Sequence, residues 1–121
     1  MPKSSYLRAK VITDNLSNGT KYIALFTDAA GIADTSQPVT EATTGNCPGY
    51  ARQAATFNAS GVSTNAQTFT ASGAWATVRY VGIFDALTAG NMIYWDEITA
   101  ETLANTNQLN LAAGQVTVTE K

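Results

Sequence analysis

The chain contains no histidine. That absence removes every catalytic scheme that needs an imidazole, the Ser-His-Asp and Cys-His nucleophile systems among them, and it removes the usual zinc ligand sets. The single cysteine, Cys47, has no intrachain partner for a disulfide, so no oxidising compartment is implied. With no imidazole beside it, Cys47 is expected to be an inert or semi-exposed thiol and not a nucleophile. Charge is scarce too. Only 13% of residues are charged, about half the share of a typical soluble domain. Nine acidic and seven basic residues leave a net charge of −2, and the bases (Lys3, Arg8, Lys10, Lys21, Arg52, Arg79, Lys121) form no block. A nucleic-acid partner, which requires a phosphate-neutralising patch, is therefore not expected. No apolar run approaches the ~20 residues of a membrane span, so no membrane is expected either. Met1 to Leu16 mixes charged, polar and apolar residues, unlike a secretory signal, which points to assembly in a cytoplasm.

What the chain does have is threonine and alanine, 18 and 20 of them in 121 residues. β-Branched threonine packs on a pleated surface at little rotamer cost, so this load favours sheet. The expected fold is all-β, a jelly-roll-like or Greek-key β-sandwich in one domain spanning 1–121 that opens with a short N-terminal helix or arm over 1–19. In Ser4 to Leu16, the residues Leu7, Val11, Ile12 and Leu16 recur at helical spacing, with Ser4 or Ser5 as a cap; Val11-Ile12-Thr13 would also suit an extended arm. Lys21 to Asp28 reads as a strand covered on both faces, Tyr22, Ala24 and Phe26 pointing one way and Ile23 and Leu25 the other. A long loop over 29–48 follows, with a short strand at Val39 to Thr44, and loops of that length in compact domains commonly serve as contact arms. Further strands are expected at Tyr50 to Phe57, Ala66 to Thr70, Trp75 to Phe84, Met92 to Ile98, Leu109 to Leu111 and Gln115 to Thr119. The clearest hairpin, Tyr80 to Trp95 around Gly90-Asn91, is the expected centre of the core.

The sequence holds few groups suited to catalysis. Asp96 and Glu97 are adjacent carboxylates, but on a regular strand they face opposite ways and cannot share a substrate. Asp85 ends the strongest strand, where a turn-capping role outweighs acid–base work. Asp28 and Asp34 bracket Gly31 without the spacing of an EF-hand, and Gly-Lys-Ser/Thr, the phosphate-loop signature, never occurs. No cofactor and no metal are implied. Arg52 and Arg79 fall within strands. Each could form an exposed cross-strand ion pair or a bidentate contact to a neighbouring subunit's carboxylate. Tyr50, Trp75, Tyr80, Tyr94 and Trp95 could build a sugar-stacking platform, though a sandwich of this size needs such residues to fill its core.

Several of these segments together resemble a known family. The stretch SSYLRAKVITDNLSNGT, the strand Tyr22-Ile23-Ala24-Leu25-Phe26-Thr27, Gly49-Tyr50-Ala51-Arg52, and Trp75 followed by Val81-Gly82-Ile83-Phe84-Asp85-Ala86 match in order and spacing. So do Gly90-Asn91 with Tyr94-Trp95, and Ala112-Ala113-Gly114 with Val116-Thr117-Val118. The chain resembles small phage and prophage virion proteins, often labelled tail fibre proteins, some of which are similar to capsid cement or decoration proteins. The loop over 29–48 departs from the family pattern. The resemblance implies a non-enzymatic structural protein of the virion, on the outer surface of the head in preference to the tail. It implies cementing of capsomers, with a tail fibre or baseplate component as the alternative and a glycan-binding module behind both. Implied partners are copies of itself, a trimer ahead of a dimer, and the major capsid protein. The expected interface residues are Leu7 and Val11 of the N-terminal segment, with Arg52 and Arg79.

Overall fold

The computed structural model describes residues 1–119. One helix, α1 (Ser5–Asn15), precedes six strands among the described residues: β1 (Lys21–Phe26), β2 (Gln53–Ala55), β3 (Gln67–Thr70), β4 (Val78–Phe84), β5 (Met92–Glu101) and β6 (Gln108–Leu111). The fold is all-β, as the threonine content and spacing suggest. Every pairing is antiparallel, in a four-stranded sheet of order β2-β1-β4-β5 and a two-stranded sheet of β3 and β6. At the N-terminus the helix, not the arm, is what forms. Ser4 caps it, its hydroxyl accepting the Leu7 N–H at 3.2 Å, and so satisfies one of the otherwise orphaned first-turn donors.

β1 alternates as the sequence suggests and is covered on both sides. Ile23 and Leu25 enter the larger core with Ile12, Leu16, Tyr50, Phe69, Trp75, Ile83 and Leu111. Ala24 and Phe26 join a second cluster on the opposite face with Tyr80 and Phe84. The loop over 29–48 closes this second face. Tyr80 places its hydroxyl between the Ala29 carbonyl, which accepts at 3.1 Å, and the Ile32 N–H, which donates at 3.2 Å. Asp28 then takes the N–H groups of Val39 and Thr40 on its two carboxylate oxygens, at 3.0 and 2.8 Å, and turns the chain back along β1.

Some expected strands shrink, for physical reasons visible in their bonds. Val39 to Thr44 reduces to a single bridge between Glu41 and Phe26, and Gln115 to Thr119 to one between Thr117 and Val62. In the second segment a short ladder to Gly61 and Ser63 (Ser63 N–H to Val116 O at 2.9 Å, Val118 N–H to Gly61 O at 2.8 Å) is completed by side chains: Ser63 Oγ accepts from the N–H groups of Gly114 and Val116, and Gln115 Oε1 accepts from Ala112. Trp75 stands outside β4, its backbone N–H paired with the Leu103 carbonyl and its indole N–H with Pro48 O. The core is centred on β1 and β4, not on the Tyr80 to Trp95 hairpin. β5 is an edge strand, and no residue in it is fully buried. β3 approaches the sheet at β2, its other end.

Candidate functional site

The most elaborate polar constellation is built on Arg52. The residue precedes β2, and its side chain is only 7% exposed. Its guanidinium forks onto Glu41, Nε to Oε2 at 2.9 Å and Nη2 to Oε1 at 2.8 Å, while Nη1 donates to the carbonyls of Ala86 and Ala89 at 2.9 and 2.7 Å. The same group lies over the face of Phe84, its Cζ 3.8 Å from the ring centroid. Tyr50 adds its hydroxyl to Glu41 Oε2 at 2.6 Å. Bidentate pairing, ring stacking and backbone contacts exploit the planar fork that distinguishes arginine from lysine. One side chain thereby ties the end of the long loop, the start of β2 and the β4–β5 turn together.

The electrostatics follow from these contacts. Burial pushes the Glu41 carboxyl up, but hydrogen bonds from Arg52 and Tyr50 and the arginine's charge outweigh it and hold the group below the usual range. The bond to Glu41 raises Arg52 against the opposing effect of burial. Burial, reinforced by that carboxylate, drives the Tyr50 hydroxyl far above its ordinary value. The cluster is thus an ionised pair with a permanently protonated phenol, suited to bracing and poorly suited to proton transfer near neutral pH.

The other singled-out residues do not converge. Asp85 is fully exposed and closes the β4–β5 turn, accepting the Asn91 N–H at 2.7 Å and the Asn91 side-chain amide at 3.1 Å. These bonds, the backbone one first, lower its pKa. Asp96 and Glu97 stand opposite Val81 and Tyr80 in register, on opposite faces of β5, and Asp96 Oδ1 is occupied by the Glu97 N–H at 2.8 Å. Among the described residues no three acids or thiols are grouped to hold a metal ion. Cys47 is wholly buried, and burial raises its pKa. The aromatics divide between two clusters: Tyr50 meets Trp75 edge-on at 6.2 Å, and Tyr80 meets Trp95 edge-on at 5.8 Å. They form no continuous platform.

Of the four residues expected at an interface, two are neighbours one helical turn apart. Leu7 is exposed on α1 and Val11 half-buried on the same helix; Arg79 is half-buried on β4; Arg52 already holds a carboxylate of its own chain. Neither Glu41 nor the hydrogen-bonding role of Tyr50 is marked by the sequence. The only available hint was a strand arginine near a lone glutamate eleven residues away, a relation to which strand and helix periods are blind.

Fold and constellation define a small β-domain whose polar groups brace its own loops. A family model described as Podophage GP4 fiber I protein gp80 matches residues 4–119, and the chain belongs to that family, a family of phage virion structural proteins of the tail-fibre type. No curated protein matches the chain. No helix among the described residues is long and apolar enough to cross a membrane.

Proposed function

We infer that the chain is a non-enzymatic fibre-type component of the phage particle that works by adhesion and assembly. The observation carrying this reading is the family match over residues 4–119, joined to a polar cluster whose donors and acceptors are spent within the chain. Function then resides in surfaces. Low charge suits this, because charged residues are depleted at the centres of interfaces.

A second reading, a capsid cement protein bridging capsomers on the outer surface of the head, is favoured by the shape of the molecule. Two apolar clusters packed on opposite faces of the four-stranded sheet, with no heptads or internal repeats, make a globular unit and not a shaft. On that reading the partners are the major capsid protein and copies of the chain itself, a trimer at local three-fold positions ahead of a dimer. Many copies of a modest contact would sum to a large resistance to internal pressure. On either reading the N-terminal segment with Leu7 and Val11, the loop over 29–48 and the half-buried Arg79 are contact elements.

Copy number separates the two. Quantitative mass spectrometry of purified virions, heads and tails is expected to find a few copies that leave with the tail. Hundreds of copies retained on tailless heads would favour the cement reading, and absence from the particle would overturn both. Hydrolysis assays on capsular and cell-wall glycans, with Asp85→Asn, Asp96→Asn and Glu97→Gln as controls, are expected to be silent.

A further inference from the structure

We propose that the joint between α1 and β1 modifies itself: the backbone nitrogen of Gly19 attacks the side-chain amide of Asn18, and loss of that amide loosens α1 from the domain. The chemistry needs no partner and does not depend on where the chain sits in a particle.

Asn18 is the one asparagine followed by glycine among nine asparagines in the chain. A side chain on the following residue hinders the approach of its nitrogen to the asparagine Cγ, and glycine has none. The surroundings add to that advantage. Asn18, Gly19 and Thr20 are all exposed. Apart from its chain neighbours, nothing lies within 4 Å of the position a Gly19 Cβ would take, and the Gly19 N–H has no acceptor among the described residues. A five-membered ring can therefore close here without displacing a neighbour, and hydroxide can reach the N–H. Asn46, Asn58 and Asn65 are held differently, each accepting a backbone N–H on its Oδ1 and each followed by a residue with a side chain.

In the ring-closing step the Gly19 nitrogen gives up its proton and bonds to Asn18 Cγ, while the Cγ–Nδ2 bond breaks and Nδ2 leaves as ammonia. Water then opens the ring at either carbonyl. Opening at Cγ leaves aspartate in the original backbone; opening at the Asn18 carbonyl carbon leaves isoaspartate, whose backbone runs through one extra carbon. Either way one water is consumed, one ammonia is released and a carboxylate replaces the amide. Nothing is oxidised or reduced.

The amide so lost has a task in the fold. Asn18 Nδ2 donates to the Asp14 carbonyl, one of the last four carbonyls of α1, which have no acceptor role within the helix. A carboxylate cannot donate there. It also brings negative charge to the negative end of a helix whose last turn has no basic residue and already carries Asp14. Ile12, the one buried residue of α1, and Leu16, its cap, anchor the helix in the larger core. Fraying of the last turn acts directly on that anchor and leaves the strand pairings untouched.

The test ages the full chain in warm, mildly alkaline buffer and maps it by peptide mass spectrometry. Asn18 is expected to convert at least about tenfold faster than any other asparagine and to yield isoaspartate as well as aspartate, the signature of the ring. Hydrogen exchange should then show the α1 amides of the converted chain exchanging about two- to fivefold faster than those of the fresh chain, with β1 and β4 unchanged. Asn18→Gln keeps a donor for the Asp14 carbonyl but can close only a larger, slower-forming ring, so through the same ageing it should keep both its amide and its helix protection. Conversion of Asn18 no faster than that of the other asparagines, aspartate without isoaspartate, or unchanged α1 protection in the converted chain each overturns the proposal. An aged Asn18→Gln chain that loosens as the wild type does overturns it too.

Discussion

The hydroxyl of Tyr50 accepts the backbone N–H of Leu25 at 3.1 Å and donates its own proton to Glu41 at 2.6 Å. β1 pairs with β2 only over Lys21–Ile23, so the amide of Leu25, a residue with no exposure, has no strand partner on that side, and the phenol stands in for one. The Leu25 carbonyl is satisfied separately by the Ala42 N–H at 2.9 Å. A buried N–H deprived of its acceptor costs about 1–3 kcal/mol. Tyr50→Phe keeps the ring that packs on Phe69 and Trp75 and should lower stability by that amount in urea denaturation. A loss below about 0.5 kcal/mol, the range of neutral surface changes, would show that water replaces the phenol.

Glu41 gives the fold an acid-sensitive joint. Its folded-state pKa lies below the ordinary value of 4.5, so the unfolded chain binds the proton more readily than the folded one. The stabilisation is complete above pH 4.5 and is lost as the pH falls through the depressed folded value. Asp85 acts in the same sense but is fully exposed, where solvent screens it. Glu41→Gln is therefore expected to flatten the fall of stability between pH 4.5 and lower values, measured by denaturation at each pH. At neutral pH it should cost about 1.5–3 kcal/mol through loss of the charge-assisted bonds from Arg52. An acid limb as steep as that of the wild type would refute the assignment.

How legible these features were depends on the range over which each is determined. The two-faced alternation of Lys21–Phe26 and the Ser4 cap are set by residues within a few positions of one another, and both stand in the structure as the sequence suggests. Arg52 and Glu41 meet only because the loop over 29–48 folds back onto β1, guided by Asp28, and no local period carries that information. Gln115–Thr119 has the alternation of a strand, and Val116 and Val118 do share backbone bonds with Ser63 and Gly61, but the Val116 N–H turns to the Ser63 hydroxyl and the pairing stops at the single bridge to Val62. The apolar residues of α1 were identifiable by type. That Ile12 docks while Tyr6 and Leu7 stay in solvent depends on where the sheets leave room.

The β4–β5 turn should be intolerant of a side chain at Gly90. Its φ of +73° lies in the left-handed region, and an added Cβ would stand 2.5 Å from Asp85 Oδ1 and 2.7 Å from the Ala86 Cβ. The carboxylate could swing away only by releasing the Asn91 N–H it holds at 2.7 Å. Gly90→Ala is thus expected to cost about 1–3 kcal/mol, combining backbone strain with a lost turn bond. Because the carbonyl of neighbouring Ala89 accepts from Arg52, the disturbance should also reach the arginine cluster. Thermal unfolding of Gly90→Ala, Asp85→Ala and the double variant tests this, since a shared mechanism requires the double variant to lose less than the sum of the singles. Strict additivity would rule that mechanism out.

Cys47 reports on the opening of the loop that carries it. The thiol is fully buried, its Sγ 4.0 Å from the Ala76 carbonyl, and burial raises its pKa, so access and thiolate content both oppose reaction. Its backbone N–H is held by Thr43 at 2.7 Å, while Ala76 donates to the Asn46 carbonyl at 2.8 Å and locks the segment against the approach to β4. Labelling by an aromatic disulfide at mildly alkaline pH should therefore run at least about a thousandfold slower than in the denatured chain, because it must await opening against the full stability of the domain. The rate should rise with denaturant along the slope of global unfolding. Complete labelling within minutes in buffer, while the circular dichroism stays native, would mean that residues 43–48 open independently of the sheet. The loop would then be free to rearrange when the protein meets its neighbours.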